Sequence, residues 1–108
     1  MIQNFNFIGF SPNENLREKS NLVLNRLLEL APYGSVAVAL LEKDARSYGC
    51  SIEIYSEQGP FTARCHDDSP EVALENVTRS LSQKLEHWKE VRKLKWKERN
   101  NKTFYHSI

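Results

Sequence analysis

The sequence predicts an α+β fold: a two-layer sandwich of order β-α-β-β-β-α, with a four-stranded sheet and both helices on one face. Three observations predict it. Two segments open with a capping residue followed by proline and then carry apolar residues at helical spacing. One stretch alternates as a hairpin with a single apolar face. A chain of 108 residues, 40% of them hydrophobic, is long enough to bury one modest core between two layers.

The elements follow in order. Phe5-Asn6-Phe7-Ile8-Gly9-Phe10 is aromatic and β-branched, which favours a strand, with Gly9 marking a bulge. Ser11-Pro12-Asn13-Glu14 starts a helix: Ser11 caps it, Pro12 takes the first helical position, and Glu14 closes a capping box. Leu16, Ser20, Val23/Leu24, Leu27 and Leu30 recur on its apolar stripe, where Ser20 is the weak member, and Pro32 and Gly34 end it. Residues 35–41 form a second strand, apolar on both faces and therefore internal to the sheet.

The hairpin runs from Tyr48 to Ser56 and from Pro60 to His66, with Gln58-Gly59 at the turn. Its register places Cys50 opposite Cys65, Ile52 opposite Ala63 and Ile54 opposite Phe61, six apolar residues on one face. Ser51, Glu53, Tyr55, Thr62 and Arg64 take the other face. Ser69-Pro70-Glu71 opens the last helix, with Asp67 and Asp68 suited to its positive end. Ala73, Val77, Leu81, Leu85 and Trp88 make its stripe, which dissolves among lysines past Val91. From Pro70 to Lys97 this helix is roughly 42 Å long, against roughly 23 Å for a seven-residue strand. Some four turns therefore lie past the sheet. Residues 1–97 are read as one α+β domain, and 98–108 as a basic, flexible tail.

Charge sharpens the picture. The net charge is +1, but residues 89–108 hold seven Lys and Arg against Glu90 and Glu98, a net +5 that leaves −4 for the body. Such an end seeks polyanions or acidic surfaces, or serves as a solvated helix tip. No apolar run approaches the ~20 residues of a membrane span. The N-terminus lacks a secretory signal, and two cysteines without one point to reduced thiols in the cytoplasm.

Little in the chain suggests catalysis. Walker and dinucleotide loops and C-x-x-C are absent. Cys65-His66-Asp67-Asp68 is the one reactive-looking cluster, but adjacent strand residues point to opposite faces, so Cys65 and His66 cannot act as nucleophile and base. The histidines at 66, 87 and 106 are too scattered for a metal site. No cofactor and no small-molecule substrate is expected. Trp88 is assigned to the core, and Trp96, interleaved with cations, suits base stacking or a partner contact.

The chain resembles the ribosome hibernation-promoting factors, also called ribosome-associated inhibitors or sigma-54 modulation proteins, over most of residues 2–95. The likeness rests on element order, Leu16-Arg17-Glu18 and Arg26-Leu27 in the first helix, and Tyr48 to Ile54 with the turn at Gly59. It continues through His66-Asp67-Asp68 and Ala73-Leu74-Glu75 to the leucines at 81 and 85. The resemblance implies a non-enzymatic protein that binds the rRNA of the small ribosomal subunit along the mRNA/tRNA path and inhibits translation by occupying it. By position, Arg17, Arg26 and Lys84 match basic sites of the family, and Lys89, Arg92 and Lys93 fall where its final helix stays basic. Lys95, Trp96 and Lys97 extend that run. Ser80, Gln83 and Val23 stand where family members carry cations, which shifts the weight to the basic end. The length matches the family's short form, so dimerisation of ribosomes is not implied, and the protein's own oligomeric state is left open.

Two other readings remain. A double-stranded-RNA-binding domain also lays two helices on a sheet, but it expects lysines where this chain has Pro70-Glu71-Val72-Ala73-Leu74. A protein-interaction or oligomerisation module would dock the basic helix on an acidic partner.

Overall fold

The hairpin sets the frame. In the computed structural model, which describes the backbone of residues 4–106 and the side chains of residues 4–95, β3 (Tyr48–Tyr55) and β4 (Phe61–Asp67) pair antiparallel. Cys50 faces Cys65, Ile52 faces Ala63 and Ile54 faces Phe61, the register that the apolar alternation demands. β2 (Val36–Lys43) runs antiparallel along the other edge of β3, and β1 (Asn6–Ile8) lies parallel to β2. The order is β1-β2-β3-β4, so β2 is internal, as expected.

Apolarity on both faces of β2 does not mean that both are covered, since the two helices lie on the same side of the sheet. Ala39 and Leu41 are buried there, while Val36 and Val38 stay about half exposed on the open side. Gly9 also plays a different part: at φ +82 it ends β1 against β2, where a Cβ would come within 2.8 Å of the Lys43 carbonyl oxygen.

α1 (Glu14–Leu30) starts two residues later than the proline suggested. Asn13, not Ser11, is the cap, because its Oδ1 lies where it accepts the Leu16 amide at 2.8 Å. Leu16, Leu24 and Leu27 face the sheet, and Ser20 sits among them fully buried, its Oγ without a partner. Asn21 Oδ1 ties the helix to the first strand by accepting the Phe5 amide at 2.9 Å.

α2 (Pro70–His106) begins as read. Ser69 Oγ accepts the Val72 amide at 3.4 Å, and Asp67 Oδ2 accepts the Ser69 amide at 2.9 Å. Ala73, Leu74, Val77, Leu81 and Leu85 are buried against β3, β4 and α1. The helix passes position 97 and reaches His106. Residues 98–106 contain neither Gly nor Pro to stop it. Its 37 residues span roughly 55 Å, and the molecule measures 66 × 26 × 20 Å.

The two helices run in the same direction. Lys19 pairs with Glu75 at 3.2 Å near their starts, and Val23 shares a cleft with Leu74 and Thr78. At the far end Ala31 lies beside Trp88. The C-terminal end of α1 is thereby set against the first basic turns of α2.

Candidate nucleic-acid interface

Trp88 stands where α2 leaves the sheet. It is half-buried, one edge-to-face step from Phe61 with ring centres 6.1 Å apart, rather than inside the core. The Arg92 guanidinium lies over its other side, 5.6 Å from the ring centre, which holds the cation in place. Between this point and the end of α1 runs a groove of about 530 Å³, lined by Glu29, Ala31, Pro32 and Tyr33 on one wall and Trp88, Lys89, Arg92 and Lys93 on the other.

The structure therefore brings Lys89, Arg92 and Lys93 together. They lie past the sheet, as the length argument requires, but against the end of α1 rather than on a bare rod. It does not bring the other expected residues to them. Lys84 occupies the opposite flank of α2, where its Nζ donates to the Thr62 carbonyl on edge strand β4, in a cleft shared with Arg64 and Ser80. Arg17 sits near the start of α1, its guanidinium 5.7 Å from the centre of the Phe7 ring. Arg26 and Lys95 are exposed. The side chains of Trp96 and Lys97 lie outside the described residues.

Three residues were not singled out from sequence. Tyr33 is wholly exposed at the groove's lip; its place after a helix-ending proline gave no sign of that. Arg79 lines the cleft between the helices with Lys19 and Val23, and Arg64 stands beside Lys84. Both carry charge at positions a wheel or strand projection marks as outward, a signal that was available.

Among the described residues the one ion pair is Lys19–Glu75. Lys89, Arg92, Lys93 and Lys95 have no carboxylate within ion-pair distance there, and Glu29 is the single acid on the groove wall. Cations left uncompensated beside an apolar floor favour an anionic ligand.

The thiols are arranged otherwise. Cys50 and Cys65 are free and face each other. Burial, with the neighbouring Cys65 adding to it, pushes the Cys50 thiol up to about 12, which removes the thiolate that nucleophilic chemistry needs. His66 points to the open face and leans over Gly49. Among the described residues no cluster of three or more His, Cys, Asp or Glu could hold a metal ion, and no helix is long and apolar enough to cross a membrane.

No family model matches the sequence, and no curated protein does. Solved structures match its shape. The N-terminal domain of Protein Y from Thermus thermophilus superposes with a TM-score of 0.65 at 13% identity, covering 80% of this chain and 99% of that one. A ribosomal subunit interface protein from Coxiella burnetii gives 0.61 at 13% identity, covering 82% and 99%. The β-α-β-β-β-α sandwich, with both helices on one face, is thus the fold of this chain and of these two proteins alike.

Proposed function

We propose that the protein is a ribosome-binding factor of the hibernation type, acting in the cytoplasm without catalysis. It binds rRNA of the small subunit and blocks the mRNA/tRNA path by filling it. The observation that carries this reading is the cation set Lys89, Arg92 and Lys93, without an ion-pair partner among the described residues, at the mouth of a groove on a fold shared with a ribosomal subunit interface protein. Affinity comes from neutralising phosphates and releasing their counterions, and shape supplies selectivity. Lys95 extends the set one turn past Arg92, and Arg17, Arg26 and Lys84 add cations elsewhere on the surface, as a ligand that surrounds the protein would use them.

Sedimentation with purified small subunits tests this. The wild-type protein should travel with the subunits, and the variant with Lys89, Arg92, Lys93 and Lys95 all changed to Glu should stay at the top of the gradient. The logarithm of the affinity should fall with that of salt at a slope steeper than about −3, since each neutralised phosphate contributes roughly −0.7 to −0.9. A wild-type protein that never leaves the top of the gradient overturns the reading.

A second reading, a protein-interaction module, is favoured by the open side of the sheet. There Ile8, Val36, Val38 and Tyr55 stay roughly half exposed. Docking through this face, rather than through the basic helix on an acidic partner, predicts binding that ignores both the salt and the charge reversals.

A further inference from the structure

We propose that Tyr33 is a stacking platform for one unpaired base of the bound RNA, whose flanking phosphates rest on Lys89, Arg92 and Lys93. This rests on the ribosome-binding reading and adds to it a defined subsite.

Tyr33 is wholly exposed and buries nothing in the fold, so packing does not account for an aromatic ring at this point. Its backbone is nonetheless fixed. Pro32 before it is buried. Gly34 after it adopts φ +82, the conformation a tight turn requires at its third position. The Ser35 amide closes the turn by donating to the Pro32 carbonyl at 3.2 Å, and Ser35 Oγ donates to the same oxygen at 2.5 Å. The turn fixes where the side chain leaves the backbone, so binding has only its two torsions to order and no loop.

The surroundings select the ligand. Tyr33 lines, with the three cations, a groove of about 530 Å³, within the roughly 300–1,000 Å³ range of small-ligand sites. Arg92 is already oriented against Trp88. An aromatic face next to clustered cations matches a base with its phosphates. A duplex keeps its bases stacked inside, so an exposed ring can stack only on one that is splayed out.

The test uses the full-length protein, purified small subunits, and a fluorescent six-nucleotide uridylate beside an RNA duplex. Tyr33→Ala should weaken subunit binding about tenfold, the loss of one stacked base, with the thermal midpoint unchanged. Tyr33→Phe, which keeps the aromatic face, should restore it, and Leu22→Ala, an exposed apolar change outside the groove, should have no effect. The single-stranded probe should lose affinity on Tyr33→Ala while the duplex does not. If wild type and Tyr33→Ala bind subunits equally, the stacking subsite is overturned and the ribosome-binding reading stands. If the wild-type protein binds no subunits, that reading fails and takes the subsite with it.

Discussion

The Arg92 guanidinium lies 5.6 Å from the centre of the Trp88 ring, at the point where α2 loses the support of the sheet. One aromatic side chain thus closes the core on its Phe61 side and orients a cation on the other. The last packed residue and the first basic turn are joined through it.

Trp88→Ala should therefore act twice. A buried Trp truncated to Ala costs about 3–5 kcal/mol; for this half-buried ring we expect about 1–3 kcal/mol, read as a lower urea midpoint. Small-subunit affinity should fall as well, because Arg92 loses its support. Trp88→Phe should recover much of the stability.

Ser20 gives a prediction of opposite sign. Its hydroxyl is buried on the apolar stripe of α1 without a partner, and an unsatisfied buried polar group is destabilising. Ser20→Ala should raise stability by about 1 kcal/mol in chemical denaturation and leave the proposed small-subunit binding unaffected, since Ser20 reaches no surface.

Cys50 predicts a pH dependence. Its thiol has an ordinary value of 9.0 and is raised to about 12 in the fold. Between those values the folded chain keeps a proton that the unfolded chain releases, so stability falls as pH rises above 9 and is fully retained below it. The loss should reach about 1.4 kcal/mol near pH 10. Denaturation profiles of wild type and Cys50→Ala, compared from pH 7 to pH 10.5, should diverge in slope over that window. Parallel profiles would remove the assignment.

Much of the fold was legible because the sheet has one dry side. A register in which Cys50, Ile52 and Ile54 meet Cys65, Ala63 and Phe61 is the only one that keeps apolar atoms together. Two proline-led helix starts then had to cover that side. The starting point of α1 was misplaced because Ser11 and Asn13 can both cap, and only geometry shows which oxygen reaches an amide. The double-sided apolarity of β2 marked an internal strand but not a covered one: Val36 and Val38 suit a strand whether or not anything lies over them. At the site, charge density pointed to Lys89, Arg92 and Lys93. The groove itself was not legible, since it depends on the two helices running side by side, and Tyr33 sits more than fifty residues from its partners in the chain.

That shared direction has an electrostatic consequence. The final turn of α1 contains no basic residue of its own, yet its carbonyls carry the partial negative charge found at the end of every helix. The neighbouring helix brings Lys89, Arg92 and Lys93 to the groove beside that end, so the cations that suit a helix C-terminus come from another element. An anion entering the groove would meet cations faced until then by Glu29 and a weak partial charge.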